Sequence, residues 1–285
     1  MNNRLEYLTN VLDSYSPSNW EEINAVLNEL KIPPKTAPIL KQEITLQQFA
    51  RGTAFITFGL GIDGVSIEIS KYANALKNLY REVGISSIHL IAGEIHPEAS
   101  SIINDAWHKH TIAGINGWDK WENGKWFREL FAREMKPNSP QSSALAKEIF
   151  RQAGSIAKTL GEYIIEHQIS LLLPVNINSN PGNFSLALAV VLVSELLGIF
   201  VLNSNHDFYW ESGEPPANRA PGQEPGVRDH FFKNIQNKPF FTLLENLYPW
   251  DGKKWLQLNI NARQTRKLTN KYGFSSKSVS EISTC

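Results

Sequence analysis

Two short segments of this sequence group side chains that can do chemistry. The first is Asn203-Ser204-Asn205-His206-Asp207-Phe208-Tyr209-Trp210-Glu211, placed directly after an apolar stretch at Phe200. Ligands of an open parallel sheet bind beyond the carboxyl ends of its strands, so ionisable groups emerging there are placed for a site. His206 is the leading candidate, although a buried histidine satisfied by a neighbour would explain the same residue. The second segment is Gly59-Leu60-Gly61-Ile62-Asp63-Gly64, which satisfies the G-x-G-x-x-G spacing between a predicted strand and a predicted helix. Glycines permit a tight turn and close backbone approach, and free N–H groups at a helix start favour an anionic or hydroxyl-bearing partner. A dinucleotide site also wants an acid about 20 residues on, at the end of the second strand. Here that acid is Glu94, behind a long helix, so the spacing is stretched. A purely structural strand-to-helix turn fits as well.

Other candidates are less specific. Asn176-Ile177-Asn178-Ser179-Asn180-Pro181-Gly182-Asn183 joins a predicted strand to a predicted helix, and asparagines there cap helices and tolerate turn conformations. Arg228-Asp229-His230-Phe231-Phe232 could orient a phosphate or carboxylate, or simply start a surface helix. Trp107, Trp118, Trp121 and Trp126 could stack on a ring or pack a covering loop. His108 and His110 have no partners at a metal-ligand spacing, so no zinc site is expected. Neither a G-x-S-x-G elbow nor a Walker loop occurs.

The elements that must position these groups alternate. Thr53 to Phe58 reads as a strand, Val65 to Val83 as a helix and Ser87 to Ala92 as a strand. Gln141 to Gln168 reads as a helix, Ser170 to Val175 as a strand, Phe184 to Leu197 as a helix and Phe200 to Asn203 as a strand. Leu256 to Ile260 and Ala262 to Tyr272 add a last strand and helix. Such alternation predicts an α/β fold, a Rossmann-like parallel sheet with helices on both faces. Residues 1–48 read as a helical N-terminal extension, with Ser18 as N-cap, Glu21 at the capping-box position and a break at Pro33-Pro34. Residues 49–285 form the main domain. Trp118 to Phe131 and Gly213 to Gly226 interrupt the alternation and read as functional or mobile loops.

The 28 Lys and Arg balance 28 Asp and Glu, so no excess of positive charge draws the chain to nucleic acid or an anionic membrane. The single cysteine, Cys285, excludes an internal disulfide and suits a cytoplasmic location. The longest apolar run, Phe184 to Leu202, is expected to be a buried helix and strand split at Gly198 rather than a transmembrane segment.

The motif Asp63-Gly64-Val65-Ser66 with Glu68, then Ile91-Ala92-Gly93-Glu94, then the H-D-F-x-W-E string at His206 to Glu211, resembles the N-terminal, acceptor-side domain of retaining GT-B glycosyltransferases of the family-4 type. The resemblance runs from about Phe55 onward. It implies one half of a GT-B fold and transfer of a sugar from a nucleotide sugar, as substrate rather than cofactor, to an acceptor hydroxyl with retention. It further implies that His206 and Asp207 hold the sugar and acceptor hydroxyls near the reaction centre. Gly61, Asp63 and Gly64 would offer backbone donors, and Asn178, Asn180, Glu211 and Arg228 would contact substrate. No metal is implied. Ser212 stands where family members often carry an Arg. The C-terminal donor-binding domain of such enzymes is not found in this sequence, so a separate subunit supplying it, or a truncated product with little activity alone, is expected. An NAD(P)-dependent oxidoreductase and a non-catalytic carbohydrate-binding remnant remain as alternatives.

Overall fold

A computed structural model describes residues 2–31, 42–117 and 124–282. The expected break at Pro33-Pro34 and two of the tryptophans, Trp118 and Trp121, lie outside the described residues.

Seven strands form one sheet: β1 (Thr53–Leu60), β2 (Ile88–Ile95), β3 (His108–Thr111), β4 (Leu171–Pro174), β5 (Phe200–Asn205), β6 (Trp255–Asn259) and β7 (Val279–Glu281). Their order is β3-β2-β1-β4-β5-β6-β7, and every pairing is parallel. The fold is therefore the expected Rossmann-like α/β sheet. From β1 the chain steps outward to β2 and β3, then returns to β4 and builds in the other direction. That reversal leaves a crevice beyond the carboxyl ends of β1 and β4.

Helices flank the sheet: α1 (Asn2–Ser14), α2 (Trp20–Lys31), α3 (Gln42–Arg51), α4 (Gly64–Tyr80), α5 (Gly124–Phe127), α6 (Pro140–Glu166), α7 (Phe184–Leu197), α8 (Lys238–Leu247) and α9 (Ala262–Lys271). Side chains alternate along β1: Ala54 and Ile56 enter a core shared with α6 and α7, and Phe55 enters another with Ile69 and Ala73 of α4. A strand buried on both faces must be apolar almost throughout, which explains Thr53 to Phe58. α7 has apolar residues all round because it is buried all round. It ends where expected: Gly198 takes φ 65, a left-handed conformation that glycine adopts without a Cβ clash. No helix among the described residues is long and apolar enough to cross a membrane.

The N-terminal helices share the main core. Leu8, Leu12, Trp20, Ile23 and Leu27 belong to the cluster built on α6 and α7, and Trp20 donates its Nε1–H to Ser142 Oγ at 2.9 Å. The cap of α2 falls one residue later than the sequence suggests. Asn19 Oδ1 accepts the Glu22 N–H at 2.9 Å, while the Glu22 carboxylate accepts the Ser18 N–H at 2.7 Å. This is a shifted capping box in which Glu22, not Glu21, reaches back. β3, α8 and β7 are not among the elements expected from the sequence, although α8 carries an amphipathic pattern that buries Phe240, Phe241, Leu243, Leu244 and Leu247. β3 and β7 are short edge strands at the two ends of the sheet, and His-Lys-His-Thr has no buried face to enforce an apolar alternation.

At the β3 edge, histidines gather without forming a metal site; no group of three or more His, Cys, Asp or Glu among the described residues is arranged to hold a metal ion. The His89 ring stacks on His108 at 4.5 Å, and its nitrogens meet Ser87 Oγ at 2.9 Å and the Tyr163 hydroxyl at 2.8 Å. His110 stacks on Tyr163 at 4.1 Å, and His167 lies 4.2 Å from the same ring. Burial, reinforced by His108, His167 and His110, lowers the His89 pKa from 6.5 to about 4. Burial and His167 lower His110 too, against an opposing pull from Glu166. The unfolded chain therefore takes up protons over a range in which folded His89 stays neutral. Its contribution to stability is complete above pH 6.5 and is lost as the pH falls toward about 4. We expect equilibrium unfolding to show a loss of up to about 3 kcal/mol across that window from this group. His89→Asn should flatten the slope whatever it does to stability at neutral pH, and an unchanged slope would refute the assignment.

Candidate functional site

The turn after β1 is closed by its own side chains. Asp63 is the N-cap of α4, with Oδ1 accepting the Ser66 N–H at 2.7 Å, and Ser66 Oγ accepts the Gly61 N–H at 3.1 Å. Gly61 is thus engaged internally, whereas the amides of Gly64 and Val65 carry no partner among the described residues. Gly59, Gly61 and Gly64 all lack a positive φ. A Cβ on Gly64 would meet nothing within 4 Å, and one on Gly61 would only touch His96 and Asp63. These glycines leave room above the turn that the protein does not fill. The Asp63 carboxylate already occupies the positive end of the helix, where a phosphate would otherwise be favoured, so a hydroxyl suits this position better than a second anion.

One turn into α4, Glu68 is buried and reaches β5. Its Oε2 lies 2.8 Å from His206 Nε2, with the two side chains 10% and 16% exposed. The carboxylate and the imidazole are thus in direct polar contact. The Tyr72 hydroxyl donates to the other carboxylate oxygen. Burial alone would raise the Glu68 pKa, but His206 and Tyr72 together hold it below the ordinary value, so the group is ionised at neutral pH. The same burial, with the adjacent carboxylate, pushes the Tyr72 pKa up.

The loop after β5 is stapled in place. Glu211 Oε2 accepts the Phe208 N–H at 2.8 Å and the buried Gln264 side-chain amide at 3.1 Å. Gln264 also donates to the His206 carbonyl at 3.0 Å. Arg228 Nη1 donates to the Phe208 carbonyl at 2.9 Å, and Nη2 lies 3.3 Å from Asp207 Oδ1. Ser212 adopts φ 57, and the guanidinium on this loop comes from Arg228. Phe208 and Trp210 stack at 4.6 Å, with the Lys267 ammonium 3.7 Å from the centre of the Trp210 ring. Asp229 closes the base of the Gly213 to Gly226 loop by accepting the amides of Glu214 and Gly226 at 3.0 and 2.9 Å. Of the residues expected to touch substrate, Glu211 and Arg228 are engaged in shaping the loop. Asp207, with a side chain 49% exposed, presents its carboxylate outward.

The asparagine turn after β4 is also largely internal. Asn183 caps α7 through Leu186 N at 2.9 Å and donates to the carbonyls of Gly114 and Asn116. Asn176, at φ 61, accepts from Ser179 Oγ at 2.7 Å and from the Asp207 N–H at 3.3 Å. Asn178 is fully buried and donates to the carbonyls of Ala187 and Leu247 at 3.1 and 3.4 Å. Asn180 is buried as well, and Oδ1 of both Asn178 and Asn180 has no donor among the described residues. Trp107 sits in the core with Ile69 and Leu90, and Trp126 packs against the other core.

Beneath the site runs a buried amide ladder. Asn203 donates to Asn205 Oδ1 and Gln257 Oε1 at 2.8 and 2.9 Å, and Asn205 donates to Gln257 and Asn259 at 3.1 and 3.0 Å. Sequence reading overlooked this ladder, Tyr72 and the pair formed by Glu94 and His96, 3.3 Å apart at the end of β2. The i, i+4 spacing of Glu68 and Tyr72, and the i, i+2 spacing of the amides on β5 and β6, were the available signals. A cavity of about 1020 Å³ lies at the other end of the sheet, at the amino ends of β4 and β5.

Removing Gln264 leaves both the His206 carbonyl and the Glu211 carboxylate one donor short. We expect Gln264→Ala to cost about 2 kcal/mol in equilibrium unfolding and to speed hydrogen exchange at the Phe208 amide. A neutral effect on both would show that the staple does not hold the loop.

No protein-family model matches the chain, and no solved structure matches it. Among curated proteins it is similar to the mannosylglucosylglycerate synthase of Petrotoga mobilis, at 25% identity over 215 residues. That alignment covers 75% of this chain and 40% of the synthase. The chain therefore carries weak similarity to a glycosyltransferase over most of its length, and spans less than half of that relative.

Proposed function

We propose that this chain is the acceptor-side half of a retaining GT-B glycosyltransferase that moves a sugar from a nucleotide sugar to an acceptor hydroxyl. The observation that carries the reading is the contact of His206 with Glu68, set beside the half-exposed Asp207 carboxylate at the carboxyl edge of the sheet, in a chain with weak sequence similarity to a glycosyltransferase. Glu68 fixes the imidazole, and His206 and Asp207 hold sugar and acceptor hydroxyls. In the transfer the bond from the anomeric carbon to the diphosphate breaks, the acceptor oxygen bonds to that carbon, and its proton leaves with the diphosphate. Positioning supplies much of the rate. The donor-binding groups are proposed to come from polypeptide beyond these residues, on this chain or on a separate subunit.

One observation favours a dinucleotide reading: the sheet register sets Gly59 directly opposite Glu94, bringing the acid to the glycine turn despite the long sequence spacing. The Asp63 carboxylate at the start of α4 argues against it, because a pyrophosphate would have to share that end with a fixed negative charge. Saturation-transfer NMR with a panel of glucosides and mannosides, alongside NADH fluorescence titration, separates the readings. The expected result is sugar contact without NADH binding, with His206→Ala weakening sugar binding roughly tenfold and Glu68→Gln weakening it less. NADH binding without sugar contact would overturn the proposal. Sugar binding unchanged in His206→Ala would remove that residue from it.

A further inference from the structure

The cavity at the amino end of the sheet is far along the strands from the candidate site and has its own chemistry. It opens between the starts of β4 and β5, at Ser170 and Phe200, with a volume of about 1020 Å³. That is at the large end of small-molecule sites. Three cations from separate parts of the chain line it: Arg4 of α1, Arg51 at the end of α3, and Lys254 just before β6. None of its lining residues among the described ones is acidic, in a chain whose charges balance overall.

The plain structural explanation covers only part of this. Arg4 Nη2 donates to the Leu197 carbonyl at 2.9 Å and Lys254 Nζ to the Gly198 carbonyl at 2.8 Å. Both cations thereby answer the negative C-terminal end of α7. Each of those bonds uses one N–H, out of five on Arg and three on Lys. Arg51 has no such role, and capping does not require a cavity. The Lys254 ammonium also lies 4.6 Å from the centre of the Phe200 ring. Burial and the nearby Arg4 charge lower its pKa despite Glu195. An anion between these side chains would relieve that repulsion.

We infer that this amino-end cavity is a binding site for a small phosphate-bearing molecule, held by Arg4, Arg51 and Lys254. The site is separate from the carboxyl edge, where Asp63 disfavours phosphate at the α4 terminus, and it does not depend on the sugar-transfer reading. Isothermal titration with pyrophosphate as the probe tests it. The wild-type chain should show saturable binding that weakens as salt rises, and Arg51→Gln and Lys254→Gln should each weaken it roughly tenfold. Arg51→Gln leaves the α7 carbonyls untouched, so its loss of affinity would not reflect a damaged helix end. Arg263→Gln, at the start of α9 near the opposite edge, should bind as wild type. Absence of saturable binding, wild-type affinity in both cavity variants, or loss confined to Arg263→Gln would each overturn the assignment.

Discussion

The arrangement of the candidate site depends on the buried amide ladder of Asn203, Asn205, Gln257 and Asn259. Four polar side chains inside a parallel sheet are costly unless they satisfy one another, and unsatisfied amides there would cost more than the ladder contributes. Here each amide nitrogen donates to a neighbour or to the backbone: Gln257 closes on the Trp250 carbonyl at 2.8 Å, and Asn259 reaches Thr265 Oγ1 at 3.2 Å, while Asn203 Oδ1 has no donor among the described residues. The bonds lock β5 to β6 in one register. A slip by one residue would turn the whole set toward the opposite face. Because β5 is held this way, His206 leaves the sheet at a fixed point, and Gln264 at the start of α9 lies within reach of its carbonyl.

Those constraints explain how the sequence could be read and where it could not. Central strands and their helices announce themselves, because burial on both faces leaves little freedom in Thr53 to Phe58 or Phe184 to Leu197. The carboxyl-edge location of the glycine turn and the histidine loop followed from that alternation. What stayed hidden were contacts between distant elements. Glu68 meets His206 across 138 positions, a closeness set by the packing of α4 on the sheet rather than by local pattern. Glu211 and Arg228 are expected as substrate contacts from the family resemblance. In the fold they bind the backbone of their own loop. Asn178 shows the same ambiguity, because an asparagine that ties two carbonyls together has the same local sequence as one that faces a ligand.

The glycine turn shows how a motif can be present while its usual physics is redirected. G-x-G-x-x-G is associated with anions because it exposes amides at a helix start. In this chain the sequence between the last two glycines supplies an aspartate, and that aspartate takes the helix end for itself. Ser66 then engages the Gly61 amide. The turn keeps its shape and its open space above Gly64, but its electrostatic preference moves from phosphate toward neutral hydroxyl groups.

The same logic bears on the charge of Glu68. A carboxylate this buried would ordinarily take up a proton, and burial is indeed the largest influence on it. It remains ionised because His206 and Tyr72 converge on its two oxygens from different elements, one from the end of β5 and one from the next turn of α4. The cost of desolvating that charge is met only when β5, α4 and the loop after β5 are all in place. An ionised Glu68 is therefore a consequence of the assembled edge as well as a means of orienting the imidazole. The ladder beneath and the staple through Gln264 serve the charge at a distance, by removing alternative positions for His206. Among the described residues, Ser66, Glu68, Asn205, Asn259 and Gln264 are all buried polar groups gathered at this end of the sheet.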